Sequence, residues 1–212
     1  MSWHGSDGGK RRSYHHGNLR EALIDAALRL IREKGANGFT FAEAARAAGV
    51  SPAAPYRHFR DRDALMADVA KRGFNAFAAA LVKAWDNGHP TAAAALHRLG
   101  VAYLAFARNE PATYVAMFES GLCLADDAEL AAASDEAFAV LRRACETVIA
   151  TMPPARRPPA MMMALHIWSL SHGVASLFGR GDNARRPLSV EPAELLEAAV
   201  LIYLDGLGVP RV

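Results

Sequence analysis

Apolar positions recur along this chain at helical spacing, and the interruptions between them carry recognisable helix stops. Leu19, Leu23, Ala26, Ala27, Leu30 and Ile31 fall at offsets 0, 4, 7, 8, 11 and 12, a single stripe on one helix face. Asn18 and Glu21 give a capping box at its start, and Gly35 is the C-cap candidate. A second helix begins at Thr40, boxed by Glu43, runs through Phe41, Ala44, Ala45 and Ala48, and stops at Gly49. Ser51 is the expected N-cap of a short third helix reaching about Phe59, with Pro52 at its first position, where a missing N–H costs nothing. Asp61 caps a long fourth helix to roughly Trp85, with Leu65, Val69, Phe74, Phe77 and Leu81 on its buried side. Further helices are expected near 91–109, 111–121, 127–151, 158–179 and 191–207, separated by Gly- and Pro-containing breaks.

Composition sharpens this into an all-α expectation. The 212 residues are 52% hydrophobic and 22% charged, ordinary for a folded chain. Alanine is abundant and Val, Ile and Thr are sparse, which favours helix over sheet. No apolar run reaches the ~20 residues of a bilayer span, and the start lacks the apolar stretch of a secretory signal. Two cysteines, Cys123 and Cys145, make no disulfide framework, so a cytoplasmic protein is expected, without membrane association.

The net charge of +2 divides unevenly: residues 1–63 sum to +4 and residues 64–212 to −2, which suggests a polyanion engaged at one end. Residues 1–16 read as a flexible basic arm; His4, His15 and His16 there lack the ligand spacing of a zinc site, and no metal or cofactor is expected.

The chemistry-bearing element is the pair of short helices joined through Gly49-Val50-Ser51, the geometry of a helix-turn-helix. Gly49 supplies the positive φ of the turn, and Ala44, Ala45 and Ala48 permit close helix approach. Val50, Tyr56 and Phe59 supply the apolar contacts that fix the crossing. The run from Gly38 to Leu65, GFTFAEAARAAGVSPAAPYRHFRDRDAL, resembles the DNA-binding signature of the TetR (tetracycline-repressor-like) family. The likeness is carried by Thr40, Ala44 to Ala48, Gly49-Val50-Ser51, Tyr56-Arg57-His58-Phe59, Asp61, Arg62 and Leu65. Trp168 with His172-Gly173 resembles the W…HG element of one subclass.

The resemblance implies that Thr40, Ser51, Tyr56, His58 and Arg62 hold phosphates, and that Pro52, Ala53 and Ala54 face the major groove. It makes Arg57 the bidentate guanine reader, and Arg11 and Arg12 the groove-reaching cations of the arm. Pro55 departs from the family pattern: it deletes a backbone donor and tightens or bends the third helix. Ala53 and Ala54 offer thymine-methyl contact alone, so some reliance on DNA shape is expected.

The implied organisation is an arm (1–16), a three-helix helix-turn-helix domain (17–65), and a helical effector-binding and dimerisation domain (66–212) entered through the long fourth helix. A palindromic double-stranded operator needs two readers about 34–36 Å apart, hence a homodimer. The last two helices are apolar all round, and a helix with two apolar faces can bury one against a partner. The resemblance puts the dimer interface there, with Leu165, Gly173, Leu177, Leu196, Val200 and Tyr203 as its residues. Trp85, Tyr103, Phe106, Tyr114, Met117, Phe118, Met162, Trp168 and His172 are the candidates for an apolar effector pocket, and the same residues would serve as ordinary core.

The function implied is a transcriptional regulator, foremost a repressor released from its operator when a small apolar or amphipathic effector shifts a conformational population. Other classes stay open: a thiol-responsive regulator using Cys123 and Cys145, a ligand-independent DNA-binding protein, and, remotely, a helical enzyme. The last lacks any nucleophile elbow, phosphate loop, metal-ligand cluster or paired carboxylates.

Overall fold

The computed structural model describes residues 19–179 and 189–209. Among these the secondary structure is helical throughout: α1 (Leu19–Lys34), α2 (Phe41–Ala47), α3 (Arg62–Trp85), α4 (Ala92–Asn109), α5 (Pro111–Phe118), α6 (Ala128–Ala150), α7 (Ala160–Phe178) and α8 (Pro192–Leu207). The arm with Arg11 and Arg12, and the Asn18 cap, lie outside the described residues.

Local chemistry sets most of the boundaries. Gly35 ends α1 at φ +78, its N–H donating to the Ile31 carbonyl at 2.8 Å. The Thr40 hydroxyl accepts the Glu43 N–H while the Glu43 carboxylate accepts the Thr40 N–H, a complete capping box. Asp61 caps α3 by accepting the Ala64 N–H at 2.8 Å.

The third short helix is where sequence and structure part. Residues 51–59 form no α-helix but a 3₁₀ turn, Ala54–Arg57, whose N-cap is Ala53 without a side-chain cap, in place of the expected Ser51. Pro55 is the cause: an α-helix needs its N–H to bond the Ser51 carbonyl, and proline has none. The chain takes the tighter bonds that remain, Ala54 N–H to Ser51 at 3.0 Å and His58 N–H to Pro55 at 2.9 Å. The Pro55 ring is fully buried.

Two apolar cores result, and α3 belongs to both. The N-terminal core gathers Leu23, Ala27, Ile31, Phe39, Ala44 and Phe59 with Leu65, Met66 and Val69 of α3. Phe74, Phe77 and Leu81, further along the same helix, join the larger core built from α4 to α8. Ala112 and Ala116 of α5 reach back into the N-terminal core. Small residues let α5 lie close on α3: a Cβ at Gly73 would fall 2.6 Å from Thr113 Cγ2 and 2.7 Å from Met117 Sδ.

Ion pairs tie the same junction. Asp68 of α3, 5% exposed, receives Arg20 of α1 in two hydrogen bonds at 2.7 and 3.2 Å, with Arg72 at 3.3 Å. Arg72 also pairs with Glu21, and Lys71 reaches Glu129 of α6 at 2.6 Å.

Among the described residues one helix, α7, is long and apolar enough to cross a membrane by length and composition, with mean hydropathy 1.2. His166, Ser169, Ser171 and His172 interrupt its apolar residues, so the sequence shows no unbroken run there. Its inner side, Met163, Ala164, Ile167, Val174 and Ala175, is buried in the core.

Candidate nucleic-acid interface and ligand site

The turn between α2 and the 3₁₀ element rests on Gly49, whose φ of +76 suits a residue without a Cβ. Beyond it, Ser51, Pro52, Ala53, Tyr56, Arg57 and His58 are exposed, and Ala54 is partly so. Thr40 is exposed too, and an edge-to-face contact of 5.1 Å between Phe41 and Tyr56 holds the start of α2 beside this segment. Phe59 is buried as an anchor, whereas Tyr56 is 63% exposed and keeps its hydroxyl outside. The Arg57 side chain makes no hydrogen bond or ion pair with any described residue. That leaves a free guanidinium on a small, mostly apolar surface.

Two residues expected to hold phosphates are engaged elsewhere. The Thr40 hydroxyl and N–H both donate to Glu43 Oε2, at 3.0 and 2.7 Å, so the capping box and a phosphate compete for the same protons. Lys34 and those two Thr40 donors hold the Glu43 carboxyl down at about 2, so it stays charged. Arg62 spends its guanidinium on the Phe39 carbonyl at 3.0 Å, the Ala36 carbonyl and Asp63, and lies over the Phe39 ring at 4.8 Å. It is the brace of the α1–α2 loop.

In the larger core, α4, α5 and α7 bring four polar side chains together. The Trp168 indole N–H donates to the Tyr103 hydroxyl at 3.2 Å. The Tyr103 and Tyr114 hydroxyls both lie against His172 Nδ1, at 3.0 and 2.8 Å, and 3.4 Å from each other. Burial pushes both tyrosines up and His172 down from their ordinary values, so all three are neutral at pH 7.

Beside this cluster is a cavity of about 30 Å³, lined by Phe74, Phe77 and Leu81 of α3 together with Tyr103, Phe118, Phe138 and Trp168. Of the nine expected pocket residues, the structure brings Tyr103, Tyr114, Phe118, Trp168 and His172 into one cluster. Phe106 and Met117 are neighbouring core. Trp85 packs at the far end of α3, against Gly88. Met162 is 47% exposed, because at one residue from the buried Met163 it turns outward on α7. Phe74, Phe77 and Phe138 line the cavity without having been expected there; the stripe on α3 was visible, but not which part of the core it faced.

The terminal helices need a similar correction. Leu165, Gly173 and Leu177 are exposed and Tyr203 is half-buried, its hydroxyl 3.1 Å from His166 Nδ1. Leu196 and Val200 face inward: both are buried in the core, and a Cβ on Gly100 would meet Leu196 at 3.0 Å. They share the inner stripe of α8 with Leu204, and the outer stripe carries Leu201 and Ile202 instead. Cys145 is fully buried, which pushes its thiol up to about 12 and leaves it protonated and unreactive; Cys123 is exposed.

The chain is similar to known proteins along most of its length. Residues 23–69 match the family model for bacterial regulatory proteins of the tetR family, and residues 96–202 match the tetracyclin repressor-like C-terminal domain. A 47-residue stretch is 47% identical to the HTH-type transcriptional regulator BetI of Rhizobium meliloti, covering 22% of this chain and 23% of that protein. A protein of unknown function from Rhodococcus sp. RHA1 superimposes with TM-score 0.75 at 29% identity, over 92% of this chain and 98% of that one. The regulator PfmR of Thermus thermophilus shares the fold, with TM-score 0.65 at 20% identity over 87% of this chain and 96% of its own.

Proposed function

This chain belongs to the tetR family and is a DNA-binding transcriptional regulator rather than an enzyme, and from that premise we propose that it is a cytoplasmic homodimeric repressor released from a palindromic operator by a small apolar effector. The observation that carries the proposal is the double membership of α3. Leu65, Met66 and Val69 lie in the core of the DNA reader, and further along the same helix Phe74, Phe77 and Leu81 line the cavity beside Tyr103 and Trp168. A molecule that enlarges that cavity pushes on the helix that sets the reader's position. A ligand moves the balance only as far as it prefers one arrangement over the other.

Dimerisation is supported by the outer faces of α7 and α8. Met161, Met162, Leu165, Leu177, Leu201 and Ile202 are 38–73% exposed, an apolar load that a lone chain rarely leaves to water. Among the described residues nothing lies within 4 Å of a Cβ placed at Gly173 or Gly206 on those helices, which leaves room for a partner's helices to approach closely.

A cavity-filling variant tests the effector site. Ala137→Phe puts a ring into the space beside Trp168; it is expected to bind operator as before and to be unresponsive to compounds that release the unmodified protein. A variant released at the same effector concentration would place the effector elsewhere.

A further inference from the structure

We propose that the Tyr103–Tyr114–Trp168–His172 cluster takes a neutral, largely apolar molecule presenting one carbonyl-type oxygen, with aromatic ketones the simplest representatives. This rests on the effector-site reading above and adds the ligand's charge and functional group.

Charge narrows the ligand first. Among the described residues lining the cavity none is ionised; its polar atoms are the hydroxyls of Tyr103 and Ser134 and the indole N–H of Trp168. A carboxylate or phosphate entering here would exchange part of its water for neutral donors alone, and an ion against an apolar lining without a counter-charge is disfavoured. Nor does the lining hold a carboxylate to accompany a cation; the exposed Glu119, whose charge acts on Tyr114 and His172, lies outside it.

The hydrogen bonds then select an acceptor. A neutral imidazole nitrogen has one in-plane direction to offer, as a lone pair or as a proton. Two tyrosine hydroxyls converge on His172 Nδ1, so one can be served well. The other is left with the 3.4 Å Tyr103–Tyr114 contact or with Ser176. Trp168 adds a third proton, and it already leans on Tyr103. Each hydroxyl accepts as well as donates, whereas the Trp168 N–H only donates; on the cavity wall it stands 3.2 Å from the Tyr103 hydroxyl, and a ligand carbonyl oxygen there accepts from both, which a hydrocarbon cannot do.

The walls supply the rest of the specificity. Phe74, Phe77, Phe118 and Phe138 favour an aromatic or broad apolar body. The cavity of about 30 Å³ is well below the ~150 Å³ known to admit benzene. Such a ligand must therefore part the α3 rings from Phe118 and Phe138.

The test follows the Trp168 indole resonance of the ¹⁵N-labelled full-length protein, identified by its loss in Trp168→Phe. Four probes are titrated at pH 7.5: acetophenone, its shape analogue 2-phenylpropene, benzoate and phenyltrimethylammonium. Acetophenone is expected to move the resonance and to bind at least three-fold tighter than 2-phenylpropene. In Tyr103→Phe that ratio should fall at least two-fold, since the Trp168 N–H alone is left to donate, while 2-phenylpropene still binds; if that variant does not fold, Trp168→Phe followed by melting temperature should show the same loss of preference for acetophenone. If a charged probe binds tighter than acetophenone, or 2-phenylpropene equals it in the unmodified protein, the ligand class is overturned and the effector site stands. If none of the four moves the resonance, the proposal fails and the effector site loses its support.

Discussion

Asp68 keeps a charge where water is largely excluded, and it does so because three cations surround it. Burial raises its carboxyl, but the Arg20 hydrogen bonds and the charges of Arg20, Arg72 and Lys71 outweigh that and hold it below the ordinary value. A carboxyl lowered in the folded state adds stability above its unfolded pKa, and that stability is lost as pH falls through the folded value. Asp68→Asn should therefore melt below the unmodified protein at pH 7, with the gap closing as pH drops below about 4. A gap independent of pH would mean that Asp68 matters by shape alone. This cluster was invisible in the chain, since Arg20 and Asp68 are 48 residues apart and their partnership depends on how α1 crosses α3. Pro55 was the opposite case: its effect could be read locally because proline's missing N–H is a property of the residue. Thr40 and Arg62 fell between, since the family pattern named them as phosphate ligands while the fold also gives their donors work inside the chain.

Helix positions were legible wherever a cap or a glycine punctuated the apolar period, as at Thr40, Gly35 and Asp61. The direction of each apolar face was less so. The helix α8 has two stripes, and periodicity does not say which one meets its own core; Leu196 and Val200 turned out to be the inner set. The outer set leads to a prediction for this element. Ile202, 73% exposed, and Leu165 would lose an apolar partner on substitution while leaving the chain's own core intact. Leu165→Glu with Ile202→Glu should give a folded monomer by light scattering, with operator affinity reduced at least ten-fold because two readers no longer bind as one. A dimer of unchanged mass would remove α7 and α8 from the interface.

At the scale of the whole molecule, the core of the reader and the cavity proposed for the effector share one rod. Leu65 and Leu81 are both fully or nearly fully buried, each in a different core, and α3 runs unbroken between them. The fold class and the helix-turn-helix were legible because the turn, caps and anchors are local. The composition of the cavity was not, because it depends on Phe138 of α6 meeting Trp168 of α7 at 5.1 Å.

The central claim is that the exposed segment around Arg57 chooses a DNA sequence on behalf of a dimer. It is tested by selecting duplexes from a random pool with the full-length protein, then comparing its affinity for the selected and a scrambled duplex with that of Arg57→Ala. The expected result is a two-fold symmetric site with half-sites about one helical turn apart. In Arg57→Ala the selectivity should fall by the equivalent of ~1–3 kcal/mol for each guanine no longer read, with dimer mass unchanged. No enriched sequence, or equal selectivity in Arg57→Ala, would contradict it.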